Sequence, residues 1–511
     1  MKKFLTVMVC ALMICAFSSP LLYGIKSASA ETPVLRIANW GEYMAGDKAE
    51  GTPELLEQFE EEFGVRVEYS HYDTNEWIYN DMKLNEKDGK YNYDLICPSD
   101  YMIQKMIRKN MLEKIEPDKI PSYYENVSPF INELFEKAEI HEYAIGYMWG
   151  TLGFVYNADK VKPSDTKSWT VLWNIDYKGK STLKDSIRDT YFMGLDYVHR
   201  DELNALADEY ERKTAETEAL RLAYQNGDAA LKSALQEQLD TAESDYTEFL
   251  NDYSQRLDEL LNDTTPETVE AVEKALTAVS ENIFGYEVDT GKADMITGKI
   301  DINFAWSGDA AYIIEEGLES FFYSIPREGS NIWFDGWVMP KGANKELAYK
   351  FMEFISRPEN AIANMEEIGY TSVIAGANNE IYDWMVEYYE LSETGFDDAM
   401  RADLTYFFTG SDDEEKLYVY YDKEMYGKAF SAQYPDVTVI NRCVVMRDFD
   451  DDSLSLISDM WVRLRANKLP LALIIIIAAV IAVAAAAVVI ILKFRGKGGK
   501  AKKGWTVVKT E

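Results

Sequence analysis

Twenty-two consecutive residues, Leu471 to Leu492, are all Ala, Val, Ile or Leu. A helix over this run has no polar stripe to turn toward water, so the run separates the chain into parts that must be read independently. At 1.5 Å rise per residue such a helix is about 33 Å long, enough to cross a hydrocarbon core of about 30 Å. A transmembrane helix over 471–492 is therefore expected. Lys493, Arg495, Lys497, Lys500, Lys502, Lys503 and Lys509 follow it, and positive charge stays on the cytoplasmic side. Residues 493–511 then form a basic cytoplasmic tail, and the large preceding domain faces outward in a single-pass cell-membrane protein. The other end of the chain gives the same orientation. Lys2 and Lys3 precede an apolar stretch from Phe4 to about Leu22, and Ala28-Ser29-Ala30 has the small-x-small pattern of a signal-peptidase site. Residues 1–30 are read as a signal peptide. Leu12-Met13-Ile14 before Cys15 lacks the small residues of a lipoprotein cleavage site, which argues against a lipid anchor.

The net charge of −36 repels nucleic acid and attracts cations. It is compatible with a cationic ligand without identifying one, since most carboxylates on such a surface are simply solvated. Cys97 and Cys443 are the cysteines left after the signal peptide, each inside an apolar stretch. A disulfide and two buried thiols both remain open readings. His71, His141 and His199 are scattered without ligand spacing, so neither a metal site nor a cofactor is expected.

From Val34 the chain alternates strand and helix. Val34 to Ala38 reads as a strand, and Pro53 to Phe63 as an amphipathic helix with Leu55, Leu56, Phe59 and Phe63 on one face, stopped by Gly64. Val65 to Tyr69 reads as a strand, Glu76 to Leu84 as a helix, Tyr93 to Cys97 as a third strand and Trp149 to Tyr156 as another. This order favours a largely parallel sheet covered by helices. Between about Arg200 and Leu261 the composition shifts to Glu, Ala, Leu, Lys and Gln without Pro, and Asn226-Gly227-Asp228 is its clear turn signal. Two long antiparallel helices are expected there, either packed on their own lobe or serving as a contact device. The α/β pattern then resumes, with a strand over Ile300 to Ala305, a strand end at Trp337 to Pro340 and an extended stretch over Val437 to Val445.

No nucleophile elbow, phosphate-cradling Gly loop or zinc-protease motif stands out. What recurs is an aromatic residue beside a turn with a carboxylate near it. Trp40 and Tyr43 follow the first strand, Ser99-Asp100-Tyr101 the third, and Asp185, Ser186 and Asp189 lie where a strand hands over to a helix. Trp306 and Asp309 follow the strand at Ile300 to Ala305, while Trp333 and Asp335 precede the one at Trp337. Ligands of open parallel sheets bind beyond the carboxyl ends of strands. A cleft of Trp, Tyr and isolated carboxylates suits an elongated alkylammonium ion. Its methylenes bury at about 0.8 kcal/mol each against ring faces. Each ammonium gains a cation–π contact of about 0.5–2 kcal/mol and a charge-assisted hydrogen bond. Each Trp taken singly also fits core packing, and Asp185, Ser186 or Asp309 also fit helix caps.

At these residues the chain resembles the spermidine/putrescine-binding proteins of bacterial polyamine ABC importers. The matching stretches are NWGEY (39–43), YDLICPSDYM (93–102), YMWGTLGFVYN (147–157), WTVLW (169–173), DSIRDTYFMGL (185–195), WSGDA (306–310), PREGSNIWFDGWVMP (326–340) and IGYTS (368–372), in family order. The resemblance covers about 34–195 and 262–375 well. It implies an α/β, two-lobe type II periplasmic-binding-protein fold, here with an inserted helical hairpin at 200–261 and one C-terminal transmembrane helix. Lobe 1 is expected over 34–143 with about 337–380, and lobe 2 over 144–336 with about 381–465. Carried over by motif, Trp40 and Tyr43 wall the cleft with Ser99 and Tyr101 nearby. Trp306 and Trp333 sandwich a methylene chain, Asp335 and Asp189 pair amines toward opposite ends, and Tyr370 adds a hydroxyl or ring edge. Asp309 matches a carboxylate of putrescine-preferring members. Where spermidine-preferring members have a further carboxylate this chain has Ser186, with Asp185 one position earlier.

The resemblance further implies a non-enzymatic receptor that takes a polyamine to an ABC permease and its ATPase. Two other readings stay open. One is a receptor for another solute on the same fold, a sugar or ferric ion, with Tyr388-Tyr389 or Tyr420-Tyr421 as paired iron ligands. The other is a membrane-anchored interaction protein without a transport role.

Overall fold

The computed structural model describes residues 32–46, 53–410 and 415–466. The expected signal peptide over 1–30, the span over 471–492 and the basic tail over 493–511 lie outside the described residues. Among the described residues, no helix is long and apolar enough to cross a membrane.

Strand β1 (Val34–Trp40) buries Leu35 and Ile37 by alternation. It pairs in parallel with β2 (Arg66–Tyr72) and with the short β3 (Leu95–Ile96). The helix Glu54–Phe63 crosses from β1 to β2. Its Leu55, Leu56 and Phe59 are buried, and Gly64 ends it in the left-handed region at φ 62°, a conformation that costs glycine nothing. The next helix, Asn75–Asn85, is capped by Thr74, whose side chain accepts from the Trp77 N–H.

Strand β4 (Ala144–Asn157) joins the two halves of the molecule. All of its residues are buried, as expected for a strand covered on both faces. Its first half pairs antiparallel with β9 (Ser330–Val338), from Ala144 opposite Val338 to Thr151 opposite Ile332. Its second half pairs antiparallel with β7 (Ile302–Trp306) and with β8 (Phe321–Ser324). Beyond β7 lie β5 (Ser181–Lys184) and β6 (Gly285–Glu287), both parallel. The strand order is β2-β1-β3-β9-β4-β7-β5-β6. Two α/β lobes thus share β4 and β9 as crossing strands.

Both crossing strands run longer than their sequence pattern indicates. β4 begins at Ala144 rather than Trp149 and carries Gly146 and Gly150 where other segments pack closely on it. A Cβ on Gly146 would meet Val373 at 2.9 Å, and one on Gly150 would meet the Ser307 hydroxyl at 2.3 Å and the Trp333 ring at 2.7 Å. β9 begins at Ser330, so Trp333 and Asp335 lie within it rather than before it. A third difference falls at Val437 to Val445. Asp436 accepts from the Thr438 N–H and hydroxyl and starts a one-turn helix, Val437–Ile440, and only Cys443–Val444 is extended, beside Ser330 and Asn331 of β9. Cys97 and Cys443 are free thiols.

The helices Arg200–Asn226 and Ala229–Leu261 form an antiparallel hairpin, with Asp228 capping the second through the Leu231 N–H. The root is the most heavily buried part, with Thr217 and Leu239 buried further out. At the root Leu203, Leu206 and Tyr210 meet Tyr253, Leu257 and Leu261, and the Tyr210 and Tyr253 rings stack at 4.9 Å. The helix Asp451–Ala466 runs along Pro266–Ser280, held in part by Arg463 to Glu273 at 2.7 Å.

Candidate ligand-binding site

The carboxyl ends of β1 and β7, the loop after β3 and the middle of β9 meet where β4 crosses between the lobes. Tyr43, after β1, donates its hydroxyl to Asp335 Oδ2 at 2.8 Å. Its ring stands edge-on to Tyr370 at 5.1 Å. Tyr370 in turn stands edge-on to Trp333 at 5.7 Å and donates to Asp309 Oδ1 at 2.8 Å. Asp309 Oδ2 takes the Lys184 ammonium at 3.0 Å, and that ammonium lies 4.0 Å from the centre of the Trp306 ring. Tyr43, Trp333, Asp335, Asp309, Asp189 and Tyr370 are all buried. The contacts form one connected set, drawn from both lobes.

The sequence candidates fall around it as follows. Ser99 faces Asp335 across an isolated antiparallel bridge and takes a hydrogen bond from Asn75 at 3.0 Å. Asn75 also reaches the Tyr101 hydroxyl at 2.9 Å. Trp40 packs at 4.7 Å on Tyr72 and donates its indole N–H to the Cys97 carbonyl, so it supports the wall from behind. Ser186 caps the helix Ile187–Val198 through the Asp189 N–H. Asp309 sits in the first turn of the helix Ser307–Glu316 but does not cap it; its carboxylate turns to Lys184 and Tyr370. The Asp185 carboxylate is not brought to the group. It pairs with Arg465 of the C-terminal helix at 2.8 Å. The paired tyrosines lie elsewhere: Tyr389 donates to Gln433, Tyr388 stacks on Trp384, and Tyr420 and Tyr421 belong to a separate two-stranded hairpin.

Several residues that matter were not singled out by the motif reading. Lys184 ends the otherwise uncharged β5 and is 1% exposed, held also by Glu287 at 3.2 Å. Arg188 is buried with its guanidinium over the Tyr101 and Phe449 rings, and it donates to the Arg447 carbonyl. Lys292 reaches Glu42 of the other lobe at 3.0 Å and approaches Asp309 at 3.8 Å. A cavity of about 720 Å³ opens at this edge, lined in part by Glu42, Asp289, Lys292 and Asp309. A charged residue at the end of an apolar strand was the one available signal for Lys184.

The electrostatics divide the group in two. Burial pushes the Asp335 carboxyl up to about 7 against the hydrogen bonds of Ser99 and Tyr43, and the nearby Asp189 carboxylate adds to the rise. Burial likewise raises Asp189 against the Ser186 hydrogen bond and the charge of Lys184. Neither acid has a cationic side chain within ion-pair distance among the described residues, and Asp335 Oδ1 has no well-formed hydrogen-bond partner. At the other end burial opposes ionisation of Asp309, but Lys184, Lys292 and the Tyr370 hydroxyl outweigh it and hold the carboxylate below its ordinary range. Burial would depress Lys184, and Glu287 and Asp309 reverse that. One end of the site therefore holds two raised carboxyls without an ion pair among the described residues; at the other, Lys184 and Lys292 are paired with Asp309, Glu287 and Glu42.

A two-lobe α/β protein with a buried aromatic and acidic set at its crossing strands is an extracytoplasmic solute receptor by class. The chain belongs to the bacterial extracellular solute-binding protein family, whose model matches residues 54–388. It is 28% identical over 353 residues to the spermidine/putrescine-binding periplasmic protein of Escherichia coli K12, covering 68% of this chain and 80% of that one. It is 26% identical over 338 residues to the putrescine-binding periplasmic protein SpuD of Pseudomonas aeruginosa, covering 65% and 76%. Among solved structures it matches the spermidine/putrescine ABC transporter substrate-binding protein PotD of Streptococcus pneumoniae with TM-score 0.53 and 26% identity, over 85% of this chain and 99% of that one. A putative spermidine/putrescine ABC transporter protein of Listeria monocytogenes matches in fold, with TM-score 0.59 and 23% identity over 86% of this chain and 100% of that one. Members of this family bind solutes and do not catalyse reactions on them.

Proposed function

We propose that the chain captures a polyamine between its lobes outside the cytoplasm and delivers it to an ABC permease driven by an ATPase. One observation carries this reading: Asp335 and Asp189 are buried beside Trp333, Tyr43 and Trp306 with no cationic side chain among the described residues in ion-pair contact with either. A buried carboxylate without a counter-charge is costly. An alkylammonium removes that cost, while aromatic faces take its methylenes. The names of the relatives agree with this chemistry. The binding set we assign is Trp40, Tyr43, Ser99, Tyr101, Ser186, Asp189, Trp306, Asp309, Trp333, Asp335 and Tyr370. Asp185 is left out of the set because it pairs with Arg465.

We further read residues 1–30 as a secretion signal and 471–492 as a membrane anchor. The lobes are read as 34–143 with about 337–380 and 144–336 with about 381–465. An anchored receptor is held at high effective concentration near its permease. Calorimetric titration of the purified full chain with putrescine, spermidine and spermine tests the function. Saturable heat with at least one of them is expected. Heat with maltose or ferric iron, and none with any polyamine, would overturn it.

A further inference from the structure

Asp309 is the carboxylate that a second ammonium of the guest would be expected to seek, yet both its oxygens are taken. Oδ2 holds the Lys184 ammonium at 3.0 Å and Oδ1 accepts from the Tyr370 hydroxyl at 2.8 Å, with Lys292 at 3.8 Å. Lys184 is itself placed as a bound alkylammonium would be. Its Nζ lies 4.0 Å from the Trp306 ring centre, between Asp309 and Glu287, and donates to the Val288 carbonyl at 2.8 Å. Its side chain is 1% exposed, so the methylene stem is buried as a guest's methylenes would be.

We propose that Lys184 is a specificity-determining residue: a tethered ammonium that fills the amine position formed by Asp309, Glu287 and Trp306, so that a guest is held by one cationic end only, at Asp335 and Asp189. The inference rests on the alkylamine reading of the same cleft. Two positive charges cannot share this position at close range without a further anion, because an unpaired ammonium in a buried site is expensive. The second end of the guest meets a wall where Asp309 and Glu287 are already paired with Lys184, and where Lys292 holds Glu42, approaches Asp309 and stands beside Asp289. A hydroxyl or amide fits there better than a second ammonium. The ligand class is therefore an alkylamine cationic at one end and uncharged but polar at the other, such as an amino alcohol or an N-acylated diamine. Polyamines bind through one terminal amine.

Calorimetry on the full chain with 1,4-diaminobutane, 4-aminobutan-1-ol and N-acetyl-1,4-diaminobutane reads this directly. In the wild type, replacing one amine by the hydroxyl or the acetamide is expected to leave affinity within about threefold or to raise it. In Lys184→Met, which keeps the stem and removes the charge, the diamine becomes the better ligand by at least about tenfold, because Asp309 is released for a second ammonium. A wild-type protein that loses about a hundredfold on losing the second amine overturns the proposal while leaving the polyamine reading intact. So does a folded Lys184→Met protein, checked by its melting transition, whose ranking matches wild type. If Lys184→Met does not fold, the wild-type ranking of the three ligands decides alone. Absence of heat with all three and with spermidine sinks the underlying reading rather than this inference.

Discussion

Asp335 sits inside β9, and its chemistry follows from that position. Strand residues on a sheet buried on both faces have no water to turn to, so its carboxyl rises to about 7. Two outcomes follow for pH. The folded chain holds this proton more tightly than the unfolded chain, so the stability contributed by Asp335 is greatest below the unfolded carboxyl value and is lost as pH rises toward about 7. Ligand binding runs the other way, since an ammonium needs the anion. Affinity for spermidine should strengthen about tenfold between pH 6 and pH 8, with release of up to about one proton on binding at pH 6 visible as a buffer-dependent heat. Asp335→Asn should flatten that profile and weaken binding at least about tenfold, or 1.4 kcal/mol. Trp333→Ala should weaken it by as much through lost ring contact, with a flat difference across pH. Calorimetry in paired buffers checks all three, and wild-type binding by both variants would show that the site lies elsewhere.

At the level of elements, the hairpin shows how local pattern and tertiary role part company. Its two helices were legible from composition and from the Asn226-Gly227-Asp228 turn, because a helix of this length is specified by its own residues. What was not legible is that burial fades outward from the root. Tyr253 is 0% exposed and stacks on Tyr210, whereas Leu231 near the tip is 45% exposed. Tyr253→Ala should therefore cost about 3 kcal/mol of stability, and Leu231→Ser less than about 0.5 kcal/mol, by denaturant melts. Neither should alter spermidine affinity by more than about twofold. The same division runs through the site. Trp333 and Asp335 could be named from the strand-end motif, but their strand starts earlier because Gly150 admits the Trp333 ring, a contact between distant segments. Lys184 and Arg188 escaped notice because burial of a lone cation depends on partners, Glu287, Asp309, Tyr101 and Phe449, that sequence proximity does not reveal. Asp185 reads as a site acid and turns outward because Arg465, some 280 residues later, claims it.

On the proposed reading the lobes close around the guest, and the contacts between them set what closure costs. The lobes touch through Glu42 to Lys292 at the mouth and through Tyr370 to Asp309 at depth. The first pair is exposed on the Glu42 side, at 71%, and such pairs contribute little. The second is buried and depends on Gly308: a Cβ there would lie 2.2 Å from the Tyr370 ring. Backbone in the helix Ser307–Glu316 is not free to retreat, since Ser307, Ala310 and Ala311 are themselves buried. Gly308→Ala should thus displace Tyr370, break its bond to Asp309 and hold the lobes further apart. Overpacking of this kind costs about 1–3 kcal/mol. Because a ligand biases closure only by its differential affinity for the two states, that cost appears directly as a loss of about fivefold to 150-fold in spermidine affinity. Glu42→Ala, at the exposed pair, should change affinity less than about threefold. Small-angle scattering should show the wild type compacting on saturation and Gly308→Ala compacting only at higher ligand concentration. Equal compaction of both proteins at equal ligand concentration would mean that closure does not pass through the Tyr370 contact.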